Sequence, residues 1–386
     1  MLFDQIREFL NSQDLTNFIQ SNPHPLAVVE KNASVGSAFQ LLQTFKVLSL
    51  PVVDEDGQYA GAISVNDILK GLHRSLVANL GDNFVDEVEQ GNVTVDDINN
   101  VGFFFIGKQV STLMHDSTTW MRGHPNSTLL TAVTDGFQIR GPRVHHRIYI
   151  CDPSKPQQKV IKKSPSANLI VLNIEHGTEK EGASSWRPTD VVAQSDVVKF
   201  MWEHREALGL TTTLSLEDLE LHSSHVLTVD YDTPAIVAFD HMAVDHKSSI
   251  GIVDGDGKLI GSLNASDIRD VPLAYFALLL LPVYQYMAVV YGFGPSLNQV
   301  MEGVPVEGTP QSLLAKMPPV VVKPSTTFGD LLQKLVTTNY TSHSHYRGLH
   351  RAYVVDEHDK PVSIVTLTDV LRTIIKFDEP VAVEDV

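Results

Sequence analysis

The chain carries one cysteine, Cys151, so it cannot close a disulfide on itself, and it reads as a protein of a reducing compartment, cytosol or nucleus. It is also short of positive charge. Lys and Arg number 29 against 46 Asp and Glu, a formal net charge of −17. Binding along DNA or RNA needs clustered cations to neutralise phosphates, so this balance argues against it. Any anion site must be a local basic pocket in an acidic protein. Neither Gly-x-Gly-x-x-Gly nor Gly-x-x-x-x-Gly-Lys-Ser/Thr occurs, which removes the usual phosphate-cradling loops. Residues 1–10, with Asp4, Arg7 and Glu8 among apolar neighbours, read as the start of an amphipathic helix rather than a cleavable leader. Hydrophobic residues at 43% and charged residues at 19% describe a chain able to fill a core.

What is present is repetition. Pro51-Val-Val-Asp54 leads through a Gly-containing turn to Ser64 and Asp67; Ile250-Gly-Ile-Val-Asp254 leads to Asn264 and Asp267; Tyr353-Val-Val-Asp356 leads to Thr366 and Asp369. The two aspartates are 13 residues apart each time. A β run, a polar turn, a second β run and an amphipathic helix account for the pattern. A fourth version is stretched: Arg147-Ile-Tyr-Ile-Cys-Asp152 and Val192-Ala-Gln-Ser-Asp196 match its two halves, with about 31 extra residues between them, near 155–188 and containing one apolar strand at 168–174. Each version is preceded by an apolar-periodic helix (34–45, 127–139, 233–244, 327–339) and, ahead of that, a short β run. The predicted unit is strand, helix, strand, strand, helix. Alone it is too small to bury its sheet face, so four units should form two pairs.

The predicted division is a helical lead at 1–22, then repeats at 23–80, 101–207, 222–291 and 315–378, and an acidic tail at 379–386. A short strand at 102–110 is expected to open the second repeat, and the connector 208–221 to separate the modules. Residues 271–291 are nearly uncharged and long enough to span a bilayer. Pro272, Pro282, Gln285 and four scattered tyrosines weigh against a span, and a single crossing would part the third repeat from the fourth. A buried helix or a docking surface for a partner is expected instead.

Four such repeats, with His146-Arg147 and His350-Arg351 ahead of the hairpin in the second and fourth, resemble the CBS domain, which occurs in tandem pairs (Bateman modules), and in particular the γ regulatory subunit of AMP-activated and SNF1-type protein kinases. The resemblance runs over about residues 20–380. It implies an α/β fold of four CBS repeats (β-α-β-β-α) in two modules, no catalysis and no cofactor, with AMP, ADP or ATP bound in clefts between repeats. It implies kinase catalytic or scaffold subunits as partners; the alternative is a four-repeat regulator of a phosphatase or another partner, with weak or no nucleotide binding. By the same resemblance Asp67, Asp196, Asp267 and Asp369, with Ser64 and Thr366, would hold ribose hydroxyls, while His146, Arg147, His350, Arg351, Lys46 and Lys247 would hold phosphates. A central site is expected with Asp369 on the ribose and His146, Arg147, His350 and Arg351 on the phosphates.

The residues also have plainer readings. Ser64-x-x-Asp67 and Thr366-x-x-Asp369 are complete helix caps, the acid favoured by the helix dipole; a carboxylate there can equally accept two vicinal hydroxyls. Ala193 and Asn264 replace the hydroxyl residue in two repeats. Leu48 stands where the kinase subunit has a basic residue, and Ser195 where it has Lys. Arg offers a planar fork to phosphate and His a donor whose charge is tunable near neutrality. Cys151 and His146 point to opposite faces of one strand, against a nucleophile–base pair; Cys151 reads as a small core residue. His343-x-His345 lacks the further ligands of a metal site.

Overall fold

The computed structural model describes residues 3–21, 26–114, 121–122, 127–139, 144–151, 160–164, 167–172, 188–221, 225–271, 274–337 and 350–375. The tail, the segment with His343 and His345, and the side chain of Cys151 lie outside them.

Four three-stranded sheets follow one plan. Val29–Glu30 runs parallel to Ser49–Val53, which pairs antiparallel with Tyr59–Ser64. Thr228–Asp230, Ser249–Val253 and Leu259–Asn264 repeat this, as do Val321–Val322, Arg351–Val355 and Pro361–Thr366. In these three repeats the hairpin register slips at the same place, before Val53, Val253 and Val355. The first aspartate of the pattern makes the turn. Asp54, Asp254 and Asp356 each accept two backbone N–H bonds from the residues that follow. The turn then needs a left-handed residue, Gly57 or Gly257 in two repeats and Asp359, at φ 60°, in the third.

The stretched repeat is real. Met121–Arg122 runs parallel to Arg147–Cys151, which pairs antiparallel with Asp190–Ala193. Within the insertion, Val160–Ser164 and Ala167–Leu172 form a separate antiparallel pair, so the strand expected at 168–174 has a partner on its N-terminal side.

The strand expected at 102–110 is instead the helix Val95–Gly107. Thr94 Oγ1 accepts from Asp97 N, and Asp97 accepts from Thr94 N, a reciprocal cap. Ile98, Val101, Gly102 and Phe105 then recur at helical spacing and are buried. The β-prone Phe-Phe-Phe-Ile run is overruled by its own cap and by packing. A Cβ on Gly102 would come within 2.7 Å of the Phe276 ring, so only glycine admits that contact. Val101, Phe105, Val110 and Leu113 complete the core of the first repeat rather than opening the second.

Sheets join neighbours in sequence. Ser49 Oγ and the Tyr149 hydroxyl meet at 2.7 Å between repeats one and two; Ser262 Oγ and the Tyr353 hydroxyl meet at 2.9 Å between repeats three and four. The apolar cores join the other way. One is continuous through repeats one and three, the other through repeats two and four together with the N-terminal helices Asp4–Ser12 and Leu15–Ser21. The helix Val65–Leu80 packs on Ala235–Val244 in the first of these, and Gln194–Glu203 on Leu367–Ile375 in the second. Each repeat therefore touches one neighbour by its sheet and another by its helices, and the four close on themselves.

The apolar stretch 271–291 forms two short helices, Phe276–Leu280 and Val283–Val290, buried in the core of repeats one and three. Tyr286 is fully buried and donates to Asp267 O at 2.8 Å. Among the described residues no helix is long and apolar enough to cross a membrane.

Candidate functional site

One hydrogen bond fixes which residues are equivalent. The first residue of each second helix donates its N–H to a carbonyl ahead of the hairpin: Val65 to Leu48, Gln194 to His146, Ala265 to Ser248, Leu367 to His350. The next position holds Ser49, Arg147, Ser249 and Arg351. His-Arg therefore occupies the same place in repeats two and four, and Ser248-Ser249 fills it in repeat three. Lys247 and Lys46 fall outside it. Lys46 is the left-handed cap of the helix Val35–Phe45, matched by His246 in the third repeat; both lysines are exposed at helix ends. Neither lysine takes the place of His146 and His350, because each lies one or two positions ahead of it in the loop between helix and strand.

The four His-Arg residues converge. Surrounding protein strips water from the His350 ring, and Arg351, Arg147, His146 and Arg269 then oppose its charge, holding its pKa down to about 3. His146 is open to solvent at its edge but walled by protein. Loss of hydration lowers its pKa, Arg351 adds to this, a hydrogen bond with Gln194 works the other way, and Arg147 lowers it further. Arg147 and Arg351 are half-buried, and desolvation pulls both below the usual guanidinium range. Under them lie Tyr149, its pKa raised by burial to about 12, and Tyr353, shifted the same way. The floor of the well is neutral and the walls carry positive charge.

The carboxylates that partly offset this charge are Asp196 for Arg147 and Asp267 for Arg351. Each of the four repeated aspartates closes a helix cap: Oδ2 accepts the backbone N–H of Ser64, Ala193, Asn264 or Thr366 at 2.7–2.9 Å. Ser64 and Thr366 add hydroxyl donors at 2.6 and 2.7 Å. The capping role is therefore built into every repeat, and a ribose would use the other oxygen. Asp267 offers little there: it is fully buried, and its Oδ1 takes bonds from Ser266 Oγ and the Tyr291 hydroxyl. Asp369 Oδ1 lies 4.0 Å from Arg372, whose Nε donates to Ile139 O of the second repeat. Asp67 lines a cleft between repeats one and three and also acts on Tyr149 at the floor of the well.

Arg269 completes the well and is absent from the residues picked out by sequence. It is buried, donates to Val47 O at 3.3 Å, lies 3.6 Å from Asp270, and acts on both His350 and Arg147. The signal was present: two residues after the repeated aspartate stand Leu69, Val198 and Leu371, and only the third repeat has a cation there.

The CBS domain family matches residues 21–74, 216–274 and 313–376. The fourth unit, with the long insertion, is recognised through its structure. Among solved structures, a Methanocaldococcus jannaschii protein described in relation to g-AMPK covers 93% of this chain and 99% of its own at a TM-score of 0.55; at 13% identity the likeness is one of fold. Among curated proteins, protein SDS23 of Candida albicans is 28% identical over 171 residues, 44% of this chain, and SDS23 of Yarrowia lipolytica 26% identical over 180 residues. The matches cover 24% and 31% of those proteins' own lengths. The architecture is a mixed α/β arrangement of CBS repeats.

Proposed function

We propose that the protein is a non-catalytic regulator that binds adenine nucleotides at the central well and passes occupancy on to a signalling enzyme. The observation that carries this reading is the convergence of His146 and Arg147 with His350 and Arg351, brought from two repeats against like charge. Such a cluster is costly until an anion fills it, so a bound phosphate stabilises the arrangement by mass action. Arg supplies paired N–H donors to phosphate oxygens. The repeated aspartates supply acceptors for ribose, Asp196 beside Arg147 and Asp369 with the intact Thr366 motif. Occupancy regulates only through a difference in affinity between two arrangements of the closed ring.

The partner is a protein kinase complex, as the resemblance implies, or a phosphatase or related enzyme.

Titration calorimetry with AMP, ADP and ATP tests the reading. Binding is expected, and Arg147→Ala/Arg351→Ala should weaken it about 10- to 100-fold, the loss of about 1.5–3 kcal/mol in charged hydrogen bonds. Comparing Asp196→Asn with Asp369→Asn identifies the ribose partner. Neither heat nor thermal stabilisation at millimolar nucleotide would refute the nucleotide role and leave a regulator that works by protein contacts alone.

A further inference from the structure

The run Phe103-Phe104-Phe105 divides between core and water. Phe105 is fully buried in the core of repeats one and three, while Phe103 and Phe104 are 70% and 63% exposed. Among the described residues no other aromatic side chain is exposed. The two rings meet edge to face, centroids 5.8 Å apart and planes at 75°. Together they leave roughly 250 Å² of apolar surface in one place, taking about 200 Å² per side chain; apolar residues exposed singly would need no explanation. The rest of this face is acidic or open. Asp96 and Asn100 precede the rings at helical spacing on the solvent side of Val95–Gly107, opposite the buried Ile98, Val101, Gly102 and Phe105. A Cβ on Gly107 would meet nothing within 4 Å, so the aromatic end is unobstructed. Ser75 to Gly107 holds six acids and no Lys or Arg, and Asp82, Asp86, Glu89 and Asp96 are exposed. The cation that follows, Lys108, is drawn inward: its Nζ donates to the hydroxyl of buried Ser75 at 2.8 Å. The last turn of the helix therefore carries no basic residue to answer its dipole.

We infer that Phe103 and Phe104 form the docking face for a partner protein, which lays a basic amphipathic helix against them. Its apolar side chains cover the rings, one Arg or Lys lies over an aromatic face at the negative end of Val95–Gly107, and another reaches Asp96. A cation is attracted there by the ring quadrupole and by the helix dipole together. The spacing fits a helix. Asp96 stands seven residues before Phe103, about 10.5 Å along the axis, which is two turns of a partner helix as well. The charge selects the occupant. A second copy of this chain would bring its own acids and a net charge of −17 against the face, and an anionic membrane would be repelled in the same way. None of these residues belongs to the central well, and the inference does not rest on the nucleotide reading.

The test uses the full chain as wild type, Phe103→Ser/Phe104→Ser and Asp96→Lys, with thermal melts to confirm folding. The probes are fluorescein-labelled amphipathic helical peptides: one of Leu and Arg, one with Glu in place of Arg, and one with Ser in place of Leu. By fluorescence anisotropy the Leu/Arg peptide should bind the wild type, and the other two about tenfold more weakly or worse. Phe103→Ser/Phe104→Ser should weaken the Leu/Arg peptide about tenfold, and Asp96→Lys should weaken it and flatten its salt dependence. ATP titration of both variants should match the wild type, which keeps this result separate from that of the central well. No binding of the Leu/Arg peptide to the wild type, or equal binding to the phenylalanine variant, overturns the inference; equal binding to Asp96→Lys overturns the acidic contact. Light scattering and sedimentation with phosphatidylserine vesicles test the other occupants. A wild-type dimer that the phenylalanine variant dissolves would give the face to a second copy, and vesicle binding lost in that variant would give it to lipid; either overturns the inference.

Discussion

Thr368 Oγ1 of the fourth repeat donates a 3.0 Å hydrogen bond to Gln194 Oε1 of the second, and Gln194 also bonds the ring of His146. Gln194 further donates to His145 O at 3.1 Å. A single buried amide thus ties the starts of two helices to one side of the basic well. Amide geometry suits this, because it presents donors and an acceptor together.

Replacing Gln194 by Ala would leave the Thr368 hydroxyl and the His145 carbonyl without these partners in a buried setting. The expected loss is about 1–3 kcal/mol of stability. Urea denaturation should show a lower midpoint at an unchanged slope. A midpoint equal to that of the wild type would mean the amide is not a structural tie.

The well should also make stability depend on pH. The folded pKa of His350, about 3, lies far below the ordinary histidine value of 6.5. Between those values the unfolded chain takes up the proton first, so this contribution is complete above pH 6.5 and is lost as pH falls toward 3. Wild type should therefore lose more thermal stability between pH 7.5 and pH 5 than His350→Asn does. A bound anion favours the imidazolium, so phosphate affinity should rise as pH falls from 7.5 to 6, with proton uptake measurable by calorimetry in buffers of different ionisation heat. Identical pH profiles for the two proteins would show that His350 does not titrate in this way.

Gly251 sits where Pro51, Tyr149 and Tyr353 stand in the other repeats. A Cβ there would meet Leu259 Cδ1 at 3.0 Å and the Tyr353 ring at 3.4 Å. Gly251→Ala should cost about 1–3 kcal/mol by overpacking and should displace the Tyr353 hydroxyl from Ser262. Near-ultraviolet circular dichroism, sensitive to the tyrosine environment, would record the change. A neutral melt with an unaltered spectrum would show that the sheet contact has slack.

Much of this was legible in the chain. The 13-residue spacing gave the hairpins, because turn chemistry at Asp54, Asp254 and Asp356 is local, as are the caps at Asp67, Asp196, Asp267 and Asp369. The His-Arg pairs were legible as a repeated dipeptide. That Lys247 lies two positions ahead of the place Arg147 and Arg351 hold was not legible, because a loop offset is invisible until hydrogen bonds set the register. The helix Val95–Gly107 was misread because a β-prone composition masked Thr94 and Asp97, whose reciprocal bonds begin it.

The sequence by itself determined the repeating unit, its caps and turns, and the two His-Arg pairs, since each depends on residues a few positions apart. The tertiary structure alone decided which repeats share a core and which acids stand beside which arginines. Repeats one and three are joined by helices and one and two by sheets because each unit has two apolar faces, and burying both requires two different neighbours. That closure carries Arg147, Arg351 and Arg269 into one well, a meeting of charges from three repeats that no local pattern encodes.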